Sequence, residues 1–173
     1  MRRSGSTSSV SAPAAVRCDR PTAADAPAVH TLIRECPPLD LNSPYAYLLL
    51  CTHFADTSAV AVADGSLLGF AGGYLKPDDR SVLFIWQIAV SPEARGRGLG
   101  HDLLQELLDR PACRTVRHLE TTITPSNEAS WALFRSFARA RRADCRESVL
   151  FGREHFAGRD HEEERLLRIT PVR

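Results

Sequence analysis

The sequence predicts an α/β protein with a mixed central sheet of about six to seven strands flanked by helices. Three observations predict it. Residues 82–109 read VLFIWQIAVSPEARGRGLGHDLLQELLD, an apolar strand, a glycine-rich loop and an amphipathic helix. The segments before that stretch alternate with a period of two and are joined by a tight turn, which makes an antiparallel meander. The segment after it, TVRHLETTIT, is rich in β-branched residues, and a helical crossover forces it parallel to the strand at 82–90. Such units are too few, and the glycines come too late in the chain, for a Rossmann fold.

Each element has its own local signal. The opening MRRSGSTSSVSAPAAV lacks the unbroken apolar core of about 7–15 residues that a signal peptide needs, so residues 1–16 read as a flexible tail before one domain over 17–173. VRCDRP is a short first strand. Thr22 is the N-cap expected for a helix in which Val29, Leu32, Ile33 and Cys36 recur at helical spacing, and Cys36-Pro37-Pro38 ends it. Ser43 and Pro44 open a second helix running to about Phe54. With Ser43 as the cap, Asp40 is left without a structural task. SAVAVA, the Asp64-Gly65 turn and SLLGFAGGYLK form a hairpin, with a bulge or close backbone approach at Gly72-Gly73. VLFIWQIAV is apolar enough for mid-sheet, with Phe84, Trp86 and Ile88 alternating onto one face.

Beyond the loop, Leu99, Leu103, Leu104, Leu107 and Leu108 share the buried face of a helix. In the next strand Leu119, Thr121 and Ile123 face one way and His118, Glu120 and Thr122 the other. Pro125 stops it, and Ser126 or Asn127 caps a helix carrying Trp131, Leu133, Phe134 and Phe137. ESVLFG and LLRI are the last strands, and the acidic run Glu162 to Glu164 reads as a solvated turn.

Composition removes several function classes. Of 173 residues 43% are hydrophobic and 25% charged, as in an ordinary globular protein. Lys+Arg number 22 against Asp+Glu 21, a net charge of +1, which offers neither nucleic acid nor an anionic membrane a global field. No apolar run reaches the roughly 18 residues of a membrane span. Five cysteines without a C-x-x-C pair fit reduced thiols and a cytoplasmic setting. Without H-x-x-H, H-E-x-x-H or clustered cysteines, no metal is expected.

The glycine-rich loop carries the first chemistry. A helix start has unpaired N–H groups and the positive end of the dipole, so a phosphate is expected over the amides of Arg97, Gly98, Leu99, Gly100 and His101, with Arg95 or Arg97 adding charge. Arg95-Gly96-Arg97-Gly98-Leu99-Gly100 fits the R/Q-x-x-G-x-G/A motif. In this order of elements the chain resembles the GNAT family of N-acetyltransferases. PPLDLNSPYAYLLLC, GFAGGYLKPDD, WQIAVSPEARGRGLG and LETTITPSNEASWALF are similar, more narrowly, to the diaminobutyrate acetyltransferases of ectoine biosynthesis, over about residues 20–169.

The resemblance implies acetyl-CoA as co-substrate and L-2,4-diaminobutyrate as acceptor, with a homodimer as the assembly. It implies that Ile88, Ala89 and Val90 pair with the pantetheine arm, that an amide near Ala89 or Val90 polarises the thioester carbonyl, and that Asn127 and Phe134 line the cofactor. An alkylammonium with a pKa near 10.4 costs about 4–5 kcal/mol to deprotonate at pH 7, so a proton acceptor is needed. Glu120, a carboxylate in mid-strand, is the catalytic candidate, with Asp40 holding the cationic end of the substrate. An internal ion pair is the structural alternative for Glu120, and a plain loop turn for Asp40. Trp86 is core or pocket wall by pattern, and the resemblance places it in the pocket with Tyr45, Tyr47 and Thr122. His155 could reach the site from the C-terminal segment or be structural.

The chain departs from the wider family at Phe134, where many members have a tyrosine that protonates the leaving thiolate. Tyr45, Tyr47 or water could substitute, and a thiol with a pKa near 8.5 leaves tolerably as thiolate. Rival readings are a GNAT enzyme for another small amine or a protein N-terminus, and a non-catalytic acetyl-CoA-binding module.

Overall fold

The structure is a computed structural model, and it describes residues 15–157 and 160–173. Most of the tail expected over 1–16 lies outside the described residues. The strands are β1 (Arg17–Asp19), β2 (Ser58–Ala63), β3 (Ser66–Leu75), β4 (Val82–Val90), β5 (His118–Ile123), β6 (Asp144–Phe151) and β7 (Glu164–Thr170). The helices are α1 (Ala26–Arg34), α2 (Pro44–Thr52), α3 (Leu99–Asp109) and α4 (Glu128–Ala140). The sheet has seven strands in the order β1-β2-β3-β4-β5-β7-β6, antiparallel except where β4 meets β5. The mixed sheet is therefore the one expected.

Local chemistry sets most boundaries. Ser43 accepts a hydrogen bond from the Ala46 amide at 3.3 Å and Pro44 follows at the first helical position, so α2 starts where predicted. Thr22 behaves differently. Its amide and hydroxyl both donate to Asp25, at 2.7 and 2.8 Å, closing a 3-10 turn over Ala23–Asp25, and α1 proper begins only at Ala26.

The sheet separates two cores. Leu103, Leu104, Leu107 and Leu108 of α3, with Phe134 and Phe137 of α4, pack with Leu83, Ile85 and Leu119 on one face. Each such leucine, buried to 2% exposure or less, contributes on the order of 1.5–3 kcal/mol by leaving water. Val29, Leu32 and Ile33 of α1 and Tyr47 and Leu50 of α2 pack with Phe70 and Ala89 on the other.

One irregularity organises the site. Across β3 and β4, Gly73 pairs with Ile85 but Gly72 pairs with Gln87, so Trp86 is an extra, unpaired residue. Gly73 is required there, because an added Cβ would run into the Phe84 carbonyl. The bulge reverses the alternation of β4. Ile88 joins Leu83 and Ile85 in the α3/α4 core, while Gln87 and Ala89 turn to the α1/α2 side. The expectation that Phe84, Trp86 and Ile88 share a face is thereby overturned, since an inserted residue shifts every later side chain by one.

Candidate active site

The cleft begins where the bulge bends β4 away from β5. Their parallel register runs from Val82↔His118 to Ile85↔Thr121 and ends there, leaving the 86–90 edge of β4 open on that side. Two adjoining cavities occupy the parting, one of about 290 Å³ and one of about 320 Å³. Ile88, Asn127 and Ser130 line both.

The first cavity runs along Ile88, Ala89 and Val90 to the start of α3. Gly96 and Gly98 have φ of 75° and 81°, values that L side chains rarely adopt, so the turn needs glycine. Gly100 lets α3 and α4 approach closely, since a Cβ there would lie 2.8 Å from Leu133 Cδ1 and the end of that side chain would have to shift. The amides of Arg97, Gly98, Leu99 and Gly100 have no partner among the described residues. The His101 amide is different. It donates to the Gly98 carbonyl at 2.9 Å while its ring lies 2.6 Å from the Ser136 hydroxyl, so the predicted phosphate contact moves toward Arg97–Gly100. Arg95 turns inward, with Nε donating to the Val90 carbonyl at 3.2 Å and Nη2 lying 3.6 Å from Cys36 Sγ. Arg97 is exposed and outside the lining. Unpaired amides, a dipole terminus and an open strand edge fit a phosphorylated thioester carrier in extended form.

The second cavity is acidic. Asp40, Glu162 and Glu164 line it, with His161, Trp86 and Thr122. His161 Nε2 lies 3.0 Å from Asp40 and 3.9 Å from Glu164, and its Nδ1 lies 2.6 Å from the Glu162 carbonyl. Acceptors facing both nitrogens favour the protonated ring. The hydrogen bond to the Glu162 carbonyl and then the one to Asp40 raise its pKa above the ordinary 6.5. Burial raises the Glu164 pKa above the usual carboxylate value, partly offset by a hydrogen bond from Thr122. A carboxylate of raised basicity that lines a cavity is suited by its environment to take up a proton. Asp40, His161 and Glu164 could also offer a metal ion one nitrogen and two oxygens within 4.8 Å of one another. Nε2 would then have to lose the proton that Asp40 holds on it.

Several expected site residues stand elsewhere. Glu120 is 3% exposed and lines neither cavity; its carboxylate accepts from Arg168 Nη1 at 2.7 Å and Lys76 Nζ at 3.4 Å, an internal ion pair. Tyr47 is fully buried under α2 and bonded to Gln87, and Tyr45 is 68% exposed outside the lining. His155 sits beside Glu154 at 3.3 Å, also outside it. Phe134 lines the second cavity and not the first. The sequence reading missed His161 and Glu164. The signal was the strand LLRI extended two residues back, which sets Glu164 on the Thr122 face of β7 opposite β5, so the acidic run is no solvated turn.

A family model described as Acetyltransferase (GNAT) family matches residues 26–138. An L-2,4-diaminobutyric acid acetyltransferase of Bordetella parapertussis is 51% identical over 148 residues, covering 85% of this chain and 80% of that one. The chain belongs to the GNAT family, in its diaminobutyric acid acetyltransferase branch. A second such relative, from Chromohalobacter salexigens, is 48% identical over 157 residues, 88% of this chain and 79% of that one. Among solved GNAT structures, diaminobutyrate acetyltransferase of Paenibacillus lautus, in complex with its substrate L-2,4-diaminobutyric acid and coenzyme A, superimposes with a TM-score of 0.88. It is 39% identical, and the match covers 92% of this chain and 97% of that one. The Ard1 structure of Thermoplasma volcanium, at 16% identity and a TM-score of 0.72 over 90% of this chain and 97% of that one, shares the fold.

Proposed function

We propose that the protein transfers the acetyl group of acetyl-CoA to the γ-amino group of L-2,4-diaminobutyrate, the acetylation step of ectoine biosynthesis. The observation that carries this reading is the pairing of an open-edged, phosphate-ready cavity with an adjoining acidic one. Diaminobutyrate near neutral pH has two ammonium groups and one carboxylate. Asp40, its carboxylate oriented by His161 Nε2 at 3.0 Å, pairs with the α-ammonium, and Trp86 walls the carbon chain. Glu164 accepts the γ-ammonium proton, which frees the lone pair to form the carbon–nitrogen bond. An amide of the Ile88–Val90 stretch donates to the thioester oxygen as charge grows there. Ser130, whose residue lines both cavities one helical turn before Phe134, donates a hydrogen bond to sulfur as the carbon–sulfur bond breaks.

Further support comes from the chemistry outside the cleft. Five free thiols fit a cytoplasmic setting. Among the described helices none is long and apolar enough to cross a membrane. A homodimer is supported by β6, exposed along its length with Val149, Leu150 and Phe151 at 52%, 41% and 45%; a monomeric mass in solution would refute it. The activity is tested by steady-state kinetics with acetyl-CoA and diaminobutyrate, ornithine, lysine or putrescine. The expected result is a kcat/KM highest for diaminobutyrate by about tenfold or more, the scale of one chain-length change. Equal values across the panel overturn the reading.

A further inference from the structure

The loop that carries Asp40 is not held by secondary structure. Residues 40–43 are irregular, between the end of α1 and the Ser43 cap. Two of the loop's backbone groups instead end on buried side chains. The Asp40 carbonyl accepts from Gln87 Nε2 at 2.6 Å, and the Asn42 amide donates to the Tyr47 hydroxyl at 3.2 Å. The Tyr47 hydroxyl in turn donates to Gln87 Oε1 at 3.1 Å, which closes the chain. Tyr47 is 0% exposed and Gln87 6%, so the bond between them is made out of water, where an unpaired polar group is costly, while the two bonds to the loop are part-buried at the wall of the second cavity, which Gln87 also lines.

The far end of this chain matters as much as the near one. Gln87 is the first residue after the Trp86 bulge and is followed by Ile88, which lines both cavities. Were the bulge absent, the reversed alternation would turn residue 87 to the α3/α4 face, away from Tyr47 and Asp40. The same bulge therefore opens the cofactor edge of β4 and delivers the amide that grips the substrate loop.

We infer that Tyr47 and Gln87 are positioning residues: a buried relay that fixes the Asp40 loop against the acetyl-donor strand and so sets substrate affinity and alignment. The inference rests on the reading of Asp40 as the group that holds the amino acid end of the substrate. It gives Tyr47 a role through another residue, where contact with substrate was expected. Releasing the loop lets Asp40 drift, while the Ile88–Val90 edge that lines the cofactor cavity stays paired with β3. A misplacement of about 1 Å is enough to weaken catalysis strongly.

The test is a kinetic comparison of Tyr47→Phe, Gln87→Glu, Asp40→Asn and the double variant Asp40→Asn/Tyr47→Phe, with thermal melts and the KM for acetyl-CoA as controls on folding. Tyr47→Phe removes only the hydroxyl. Gln87→Glu sets a carboxylate against the Asp40 carbonyl, and protonation restores a donor. The expected result is a KM for diaminobutyrate raised about five- to tenfold in both single variants, the scale of one lost buried hydrogen bond, at unchanged KM for acetyl-CoA. The Gln87→Glu defect relative to the parent enzyme shrinks as pH falls, and the double variant is no worse than Asp40→Asn. If Asp40→Asn raises the KM but Tyr47→Phe and Gln87→Glu only lower the melting temperature, the relay is overturned and the Asp40 reading stands. If Asp40→Asn changes nothing, the Asp40 reading fails and the relay with it, whatever Tyr47→Phe does.

Discussion

Glu120 and Glu164 are carboxylates on neighbouring strands that the fold treats in opposite ways. Glu120, opposite Phe84 on β4 and Arg168 on β7, is closed in by two cations and lines neither of the two cavities. Glu164 is partly buried, and among the described residues its one paired cation is His161 at 3.9 Å, so its charged form is the less stabilised of the two. Their variants should separate cleanly. Glu164→Gln is expected to lower kcat/KM at pH 7 by about 10²-fold, the scale of a general base, and to remove an acid limb that lies above the ordinary carboxylate pKa. Glu120→Gln is expected to keep turnover within about threefold and to lower stability by about 1–3 kcal/mol, because Arg168 loses its counter-charge. Melts and pH–rate profiles of both variants check this; a large loss of turnover in a stably folded Glu120→Gln protein would return Glu120 to the mechanism.

At the scale of elements, the glycine-rich loop and the bulged strand do separate work. The loop's demand is local: Gly98 must hold φ of 81° for α3 to begin with its amides facing outward. Gly98→Ala meets no atom within 4 Å of the new Cβ, so its cost is conformational, about 1–2 kcal/mol. The expected effect is a raised KM for acetyl-CoA with the KM for diaminobutyrate unchanged, read from initial rates with each substrate varied. Such a cost was legible from the motif alone. The bulge was legible only as a glycine pair at 72–73; that Trp86 on the partner strand is the extra residue depends on register, which no local pattern states.

For the whole molecule, the cleft is closed by a tie between distant parts of the chain. His161, ahead of β7, bridges to Asp40, ahead of α2, and Ser126 hydrogen-bonds Glu162 from the start of α4. The His161 pKa is raised in the folded state, so the stabilisation it supplies is fully present below its ordinary value of 6.5 and is lost as pH rises through the folded value. The Glu164 shift works the other way for a carboxylate: raised by burial, it makes the folded state relatively less stable once the group ionises. The melting-temperature difference between the parent protein and His161→Asn should therefore be largest on the acid side of neutrality and vanish at alkaline pH. A difference independent of pH would mean that the tie does not depend on the imidazolium.

By itself the sequence determined what depends on neighbours along the chain. Periodicity marked the strands and helices, Ser43 and Pro44 the start of α2, the glycines the loop before α3, and four segments the family. It also singled out Asp40, a loop carboxylate with no capping task, and Trp86. The tertiary structure alone decided which polar groups face the cleft. Glu120 against Arg168, Gln87 against Tyr47, and His161 against Asp40 are contacts across 40 to 121 positions of sequence. Their partners are chosen by strand order and by one inserted residue in β4, and a side chain's burial and charge state follow from those partners, not from its neighbours in the chain.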